Sequence, residues 1–164
     1  IFKMDFSTFA PGNHEHKRAT VANQLALYLT MYSPLQMAAD LPEHYAEKMD
    51  AFQFIKDVPV DWSESRYLDA EPGEFIIVAR KDKNSDNWFA GGVANADGHS
   101  ADLSLGFLDP AAEYEATIYA DAPDAHYDSN PEAYVITRRK VTQADTIPVC
   151  MAPGGGFAVS FRKL

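Results

Sequence analysis

Hydrophobic residues near the start of the chain recur at the spacing of an α-helix. The segment begins after Thr20, a good N-cap residue, and runs to about Tyr32, where Ser33 and Pro34 end it. Almost every face of the segment is apolar, which predicts a helix that is buried instead of lying at the surface. The apolar positions one turn apart are Val21, Leu25, Tyr28 and Tyr32.

A short apolar run follows this helix, and its length and flanking prolines favour a strand. We expect residues 35–39 to form a buried strand, with a continued helix as the alternative. A second helix is predicted from Pro42, with Glu43 at the positive end of its dipole. Its apolar stripe is Tyr45, Met49, Phe52, Ile55 and Val58. Residues 1–58 are therefore predicted to be an αβα piece whose strand needs more sheet beside it.

From residue 59 onwards the pattern changes to short runs in which apolar and polar residues alternate. Turn-forming clusters of Gly, Pro, Asn and Asp separate them, a spacing that is typical of an antiparallel β-sandwich. The predicted strands are 75–80, 88–94, 101–107, 114–120, 133–140, 146–150 and 157–162. The predicted fold class is thus an α+β composite, with the αβα piece in residues 1–58 and the sandwich in residues 59–164.

The charge balance excludes some classes of partner. The 164 residues carry 14 basic and 24 acidic side chains, a formal net charge of −10, of which −8 falls on residues 59–164. A nucleic-acid binder needs a basic surface, so nucleic acid is not an expected partner, and neither is an anionic membrane. The longest apolar stretch, residues 25–39, is too short to span a bilayer. A single cysteine, Cys150, excludes an internal disulfide and a multi-cysteine zinc site.

Two groups of residues invite a metal-site interpretation, and each has a simpler one. His14 and His16 lack the H-E-x-x-H spacing of a helical zinc site and follow a Pro-Gly breaker, which favours a solvated loop. A later acidic cluster lacks the glycine and the terminal glutamate of a calcium-binding EF-hand loop, so a solvated loop is again favoured. Its members are Asp121, Asp124, His126 and Asp128.

Other candidates for chemistry also have structural explanations. Residues 153–156 lack the Lys-Ser/Thr of a phosphate loop, so a tight turn is predicted there. Cys150 lies in an apolar run, which favours a buried small side chain over a nucleophile. Trp62 and Trp88 could stack on a sugar ring, but core packing is favoured. No glycosidase pair is recognisable among the acids before the first predicted strand, which we interpret as a solvated linker; these are Glu64, Asp69, Glu71 and Glu74.

Asp40 is the candidate substrate-binding residue. A carboxylate at the carboxyl end of a buried parallel strand would lie on the rim that holds the active site of a (β/α)₈ barrel. The other explanation is an N-cap for the helix that begins near Pro42. Both roles are compatible.

Distinctive stretches of sequence occur in both parts of the chain. Three lie in the first part, residues 22–28, 30–42 and 49–58. Shorter motifs agree with them in the second part, namely Glu71–Glu74, Ile77–Lys81, Ile118–Ala122 and Ala152–Gly156. Together these residues resemble glycoside hydrolase family 97.

The resemblance implies a piece of a larger enzyme. Family members are multi-domain, calcium-dependent bacterial α-glucosidases and α-galactosidases with a (β/α)₈ barrel and a C-terminal sandwich. Residues 1–58 would be the end of that barrel, with residues 35–39 as its last strand, and residues 59–164 would be the sandwich. The implied partners are an α-linked oligosaccharide and the upstream domains, and the implied location is periplasmic or secreted. The start at Ile1, without an initiator methionine, fits a processed chain or a piece of a longer one.

The resemblance assigns no catalytic residue to this chain. The family's catalytic carboxylates and calcium-binding glutamates would precede Ile1, so calcium is expected in the parent enzyme and not on this chain's own residues. We therefore predict that the 164-residue chain alone is inactive. A non-catalytic carbohydrate-binding sandwich is the alternative function. Uncovered barrel helices would also expose apolar surface and promote self-association.

Overall fold

Three helices lie between residues 21 and 57 of the computed structural model, which describes residues 18–164 and the backbone of residues 2–3. Helix α1 spans Val21–Thr30, α2 spans Pro42–Ala46 and α3 spans Met49–Asp57. Two short strands, β1 (Phe2–Lys3) and β2 (Met37–Ala38), pair in parallel. Within the described part of the chain, no helix has the length and apolar character needed to cross a membrane.

Beyond residue 61 the chain forms two antiparallel sheets. The strands are β3 (Trp62–Glu71), β4 (Phe75–Asp82), β5 (Trp88–Ala94), β6 (His99–Ser104), β7 (Tyr114–Asp121), β8 (Tyr134–Val141), β9 (Thr146–Met151) and β10 (Gly156–Lys163). Six of them form one sheet in the order β3-β4-β5-β10-β7-β8, and β6 pairs with β9 in a separate sheet. The last strand is central: Val159 of β10 lies opposite Ala90 of β5 and Ile118 of β7.

Both faces of the six-stranded sheet carry a hydrophobic core. The β6–β9 pair covers one face, and α1 and α3 cover the other. Side chains alternate between the two cores, as the pleat of a strand requires. Along β10, Phe157, Val159 and Phe161 face the β6–β9 pair, whereas Ala158 faces the helices. The helices therefore share a core with the sandwich.

A glycine allows α1 to lie directly on this sheet. A Cβ atom at Gly91 of β5 would stand 2.9 Å from Cδ1 of Leu29 and 3.5 Å from Cα of Ala26. Both neighbours belong to α1, and any larger residue would push the helix away from the sheet.

The N-terminus of α1 is tied to the turn between β9 and β10. Thr20 caps the helix by accepting the backbone N–H of Asn23 at 3.1 Å, as the sequence predicts. The backbone N–H of Thr20 donates to the carbonyl of Gly154 at 3.2 Å. The side-chain amide of Asn23 donates to the carbonyl of Gly155 at 3.0 Å. These bonds position the helical segment on one end of the sandwich.

The seven strands predicted after residue 74 are all present, with ends shifted by up to three residues. Strand β3 is the exception, because the acids of residues 64–74 were expected in a linker. Glu64, Asp69 and Glu71 instead lie on this edge strand, and Glu74 lies in the turn that follows. Their predicted exposure is confirmed, but the linker assignment is wrong.

The predicted strand at residues 35–39 is confirmed only in part. Strand β2 covers Met37–Ala38, and both residues are exposed, so the expected burial is wrong for this chain. Leu35 is exposed as well. Within the described residues β2 pairs with β1 alone, and no larger sheet surrounds it.

The helix predicted from Pro42 is divided into two. Helix α2 ends at Ala46 and α3 begins at Met49. Four residues of the predicted stripe nevertheless lie in one core, with Tyr45 and Val58 buried and Phe52 and Ile55 packed against them. Met49, expected in the stripe, is exposed. The buried positions of this region are Tyr45, Ala51, Phe54 and Val58.

Candidate functional site

Asp40 lies between β2 and α2, where the sequence predicts a carboxylate at the end of a strand. Its backbone N–H donates to the hydroxyl of Tyr45 at 2.9 Å. Its Oδ1 accepts the backbone N–H of Leu41 at 2.7 Å and lies 2.5 Å from Nδ1 of His44. Only 3% of the Asp40 side chain is exposed. The N-cap of α2 is Leu41, so the N-cap explanation for Asp40 is wrong.

His44 is the more exposed member of the Asp40–His44 pair, with 35% of its side chain accessible. The hydrogen bond to Asp40 raises the pKa of His44, and the negative charges of Asp40, Glu47 and Glu43 add to this effect. A carboxylate beside an imidazole provides acceptor and donor groups of the kind that bind sugar hydroxyls. The pair is therefore the candidate site, and substrate binding by Asp40 stays a prediction.

The acidic cluster considered for calcium does not come together. The Oδ2 of Asp124 accepts the side-chain amide of Asn130 at 2.9 Å, and Nδ1 of His126 accepts the backbone N–H of Asp128 at 3.2 Å. Among residues 18–164, no three His, Cys, Asp or Glu side chains are grouped as metal ligands. The four residues of this cluster are therefore not arranged as a calcium site. His14 and His16 lie outside the described residues.

Asp121 holds the turn between β9 and β10 in place. Its Oδ2 accepts the backbone N–H of Ala152 at 2.9 Å and that of Gly156 at 2.8 Å. The side chain is buried, and this burial raises the pKa of the carboxyl, although the hydrogen bonds oppose the shift. Sequence spacing does not reveal this role, because the donors lie 31 and 35 residues further along the chain.

The remaining candidates are structural or exposed. Residues 153–156 form the predicted tight turn, in which Gly154 adopts a φ of 62°. Trp88 is buried in the core, and Trp62 packs edge-on against Phe89, so these tryptophans form no open stacking platform. Cys150 was expected to be buried and is exposed, 3.5 Å from the hydroxyl of Ser100, because it lies on the outer side of β9.

Comparison with known proteins identifies the sandwich. Residues 61–162 match the family model described as "Glycosyl-hydrolase 97 C-terminal, oligomerisation". This match covers β3 to β10, with the six-stranded sheet and the β6–β9 pair.

Relatives match the helical segment as well as the sandwich. The chain is 32% identical over 145 residues to a retaining alpha-galactosidase of Bacteroides thetaiotaomicron. This alignment covers 88% of the chain and 21% of that protein. It is 30% identical over 162 residues to a probable retaining alpha-galactosidase of Streptomyces bingchenggensis. That alignment covers 96% of the chain and 23% of the relative. The chain spans less than a quarter of the length of either relative.

A solved structure shares the architecture. A glycoside hydrolase family 97 enzyme from Pseudoalteromonas sp. strain K8, in complex with acarbose, superposes with a TM-score of 0.90 at 43% identity. The superposition covers 93% of this chain and 24% of that enzyme. The family match, the sequence identities and the shared fold agree, and the chain belongs to the C-terminal domain family of glycoside hydrolase family 97.

Proposed function

We propose that this chain is the C-terminal part of an enzyme that hydrolyses α-glycosidic bonds in oligosaccharides. The observation that carries the proposal is the family match over residues 61–162. Two relatives described as retaining alpha-galactosidases, one of them as probable, support an α-linked substrate. The catalytic carboxylates are supplied by the remainder of the parent, where one protonates the leaving group and another attacks or activates water.

The helical segment is proposed to complete the barrel of that parent. The parallel pairing of β1 with β2 supports this proposal, because such barrels are built from parallel strands. Exposed apolar side chains between residues 31 and 49 also support it, because apolar side chains exposed together mark a contact surface. They are Met31, Tyr32, Leu35, Met37, Leu41 and Met49.

Two activity measurements test the hydrolase proposal. The full-length parent and the 164-residue chain are each assayed with p-nitrophenyl α-galactoside and p-nitrophenyl α-glucoside. We expect turnover of at least one substrate by the parent and none by the chain, because both catalytic carboxylates are proposed to lie in the remainder of the parent. An inactive, folded parent would overturn the hydrolase proposal. Turnover by the purified chain, free of contaminating glucosidase, would overturn the assignment of the carboxylates to the remainder.

Asp40 is proposed to contact the substrate together with His44, at the carboxyl end of β2. In the full-length parent, Asp40→Ala is expected to lower kcat/KM, because it removes an acceptor and the partner of His44. Glu47→Ala is the matched control, since Glu47 is exposed at the end of α2. Unchanged kinetics with lowered stability would restrict Asp40 to a structural role.

An assembly role is the second candidate function. The matched family is described by the word oligomerisation, and the sandwich presents β3 and β8 as the two edges of its larger sheet. Edge strands can pair with another chain, so they are natural contact surfaces. Sedimentation of the chain and of its Val135→Ser variant on β8 tests this role.

A further inference from the structure

A buried arginine lies where α1 meets the sandwich. Arg80 of β4 is only 4% exposed. Its Nε donates to the carbonyl of Leu29 at 2.8 Å, and its Nη1 donates to the hydroxyl of Ser65 at 2.5 Å. Leu29 belongs to the last turn of α1, where the helix dipole favours a positive charge. No described residue forms an ion pair with Arg80, which is unusual for a buried cation.

Two exposed tyrosines flank this guanidinium. The Arg80 guanidinium carbon lies 5.4 Å from the ring centre of Tyr32 and 5.9 Å from that of Tyr67. Tyr32 follows α1 and is 47% exposed, whereas Tyr67 is on β3 and is 68% exposed. The helical segment and the sandwich therefore each contribute a tyrosine to one patch of the surface. We call Tyr32, Arg80 and Tyr67 the Tyr-Arg-Tyr cluster.

We infer that the Tyr-Arg-Tyr cluster is the point at which this chain seats against the remainder of its parent enzyme, which offers a carboxylate to Arg80. The inference rests on the proposed function, in which the chain is the end of a longer hydrolase. Its matched relatives have more than three quarters of their length outside this chain. Tyrosine and arginine are also among the residues enriched at the energetic hot spots of protein interfaces.

The Tyr-Arg-Tyr cluster borders exposed apolar side chains. Met31 immediately precedes Tyr32, Leu68 immediately follows Tyr67, and both are exposed. A partner surface that covered the cluster would thus bury apolar side chains from the end of α1 and from the edge strand β3. It would also cover part of the β3 edge, which an isolated sandwich leaves open. In this arrangement the sandwich contacts the remainder of the parent directly, in addition to the helices that are proposed to complete its barrel.

Hydroxyl-radical footprinting of the unmodified protein tests the inference. The full-length parent and the 164-residue chain are compared, the latter at a concentration where sedimentation shows a monomer. We expect modification of Tyr32 and Tyr67 to fall by about fivefold or more in the parent, because interface contacts exclude water from central side chains. Val135, exposed on the opposite edge strand, serves as the control and should be modified equally in both.

Two results would overturn the inference. One is equal modification of both tyrosines in parent and chain. The other is low modification already in the monomeric chain that rises when residues 1–17 are deleted, since those residues would then be the occupant. Hydrolysis by the parent is assayed on the same sample. An active parent with unprotected tyrosines refutes the contact alone, whereas an inactive, folded parent refutes the proposed function.

A pair of arginine variants tests the carboxylate partner. Arg80→Gln in the full-length parent is expected to return Tyr32 and Tyr67 to the modification rates of the isolated chain. Arg66→Gln is the matched control, because Arg66 is also a strand arginine over an aromatic ring, 5.5 Å from Trp88, but is already paired with Glu64. Equal protection of the tyrosines in both variants would refute a role for Arg80. Footprinting of the unmodified protein stays decisive if Arg80→Gln does not fold.

Discussion

At the scale of single residues, Asp121 is the side chain on which the turn between β9 and β10 depends. Its Oδ2 accepts two backbone N–H groups, and Asp121→Ala would leave both donors without this partner. We expect a loss of about 2–6 kcal/mol in the free energy of unfolding, because each of the two unpaired donors costs about 1–3 kcal/mol. Urea unfolding measures the loss, with the exposed Asp128→Ala as the control. Equal stability of the two variants would contradict the anchoring role.

The raised pKa of the Asp121 carboxyl leads us to expect an unusual dependence of folding stability on pH. Burial raises the pKa of Asp121 in the folded chain, so folding favours the protonated form. Its contribution to stability is complete below the unfolded pKa of about 3.9 and is lost as the pH rises through the folded pKa. The stability of the unmodified chain relative to Asp121→Asn should therefore fall as the pH rises from about 4. Urea titrations over this range measure the difference, and a rise with pH would contradict the expectation.

His44 has the opposite kind of charge and is stabilised in its protonated form. Asp40 raises the pKa of His44 chiefly through their hydrogen bond. The resulting stability is present below the ordinary pKa of about 6.5 and is lost as the pH rises through the raised value. NMR titration of the ring should show a lower His44 pKa in Asp40→Asn. Glu43→Gln should lower it less, because Glu43 makes the weakest contribution. A larger effect of Glu43→Gln would argue against the Asp40–His44 bond.

At the scale of elements, the close approach of α1 to the sheet depends on Gly91. An alanine there would place Cβ 2.9 Å from Leu29 Cδ1 and 3.2 Å from the carbonyl oxygen of Phe157. We expect Gly91→Ala to cost about 1–3 kcal/mol, as overpacking of a tight core does. Gly106→Ala is the control, because its Cβ would meet only the Ser104 hydroxyl, at 3.7 Å. Its effect on urea unfolding should stay within about 0.5 kcal/mol, and equal losses in both variants would exclude the helix contact as the cause.

The sequence predicted elements best where one face of a strand or helix is buried. Seven strands carry alternating or continuous apolar residues because each packs against a core, and all seven are present. Strand β3 was missed because every residue after Trp62 is exposed, so its side chains carry no alternation. The register shifts between Trp62 and Glu64 and between Tyr67 and Asp69 weaken the periodicity further. A strand whose side chains are almost all exposed has little hydrophobic pattern to detect.

The candidate site was predicted less completely than the fold. The position of Asp40 between β2 and α2 followed from local pattern, since strand, loop and helix are consecutive there. The roles of Asp121 and Arg80 did not, because their partners lie 15 to 51 residues away in the sequence. Burial of Cys150 was wrongly expected, because an apolar run does not show which residues of a strand face outwards. Contacts between distant segments require the folded sheet order.

At the scale of the whole molecule, apolar exposure and net charge are separated along the chain. The sandwich carries −8 of the net charge of −10, whereas exposed apolar side chains are frequent between residues 31 and 49. Charge repulsion opposes association through the sandwich, and apolar exposure favours association through the helical segment. Association of the isolated chain is therefore favoured through the helical segment and opposed through the sandwich.

We expect the isolated chain to self-associate through its helical segment. Leu35 and Leu41 are 65% and 60% exposed, and burying them in a contact between copies removes apolar surface from water. Sedimentation equilibrium should show reversible association. The double variant Leu35→Ser with Leu41→Ser should weaken it by about tenfold or more, which corresponds to 1.4 kcal/mol. Val135→Ser on β8 is the control for contacts through the sandwich edge. A monomer at all concentrations would contradict self-association, whereas a loss confined to Val135→Ser would place the contact on the sandwich and favour its assembly role.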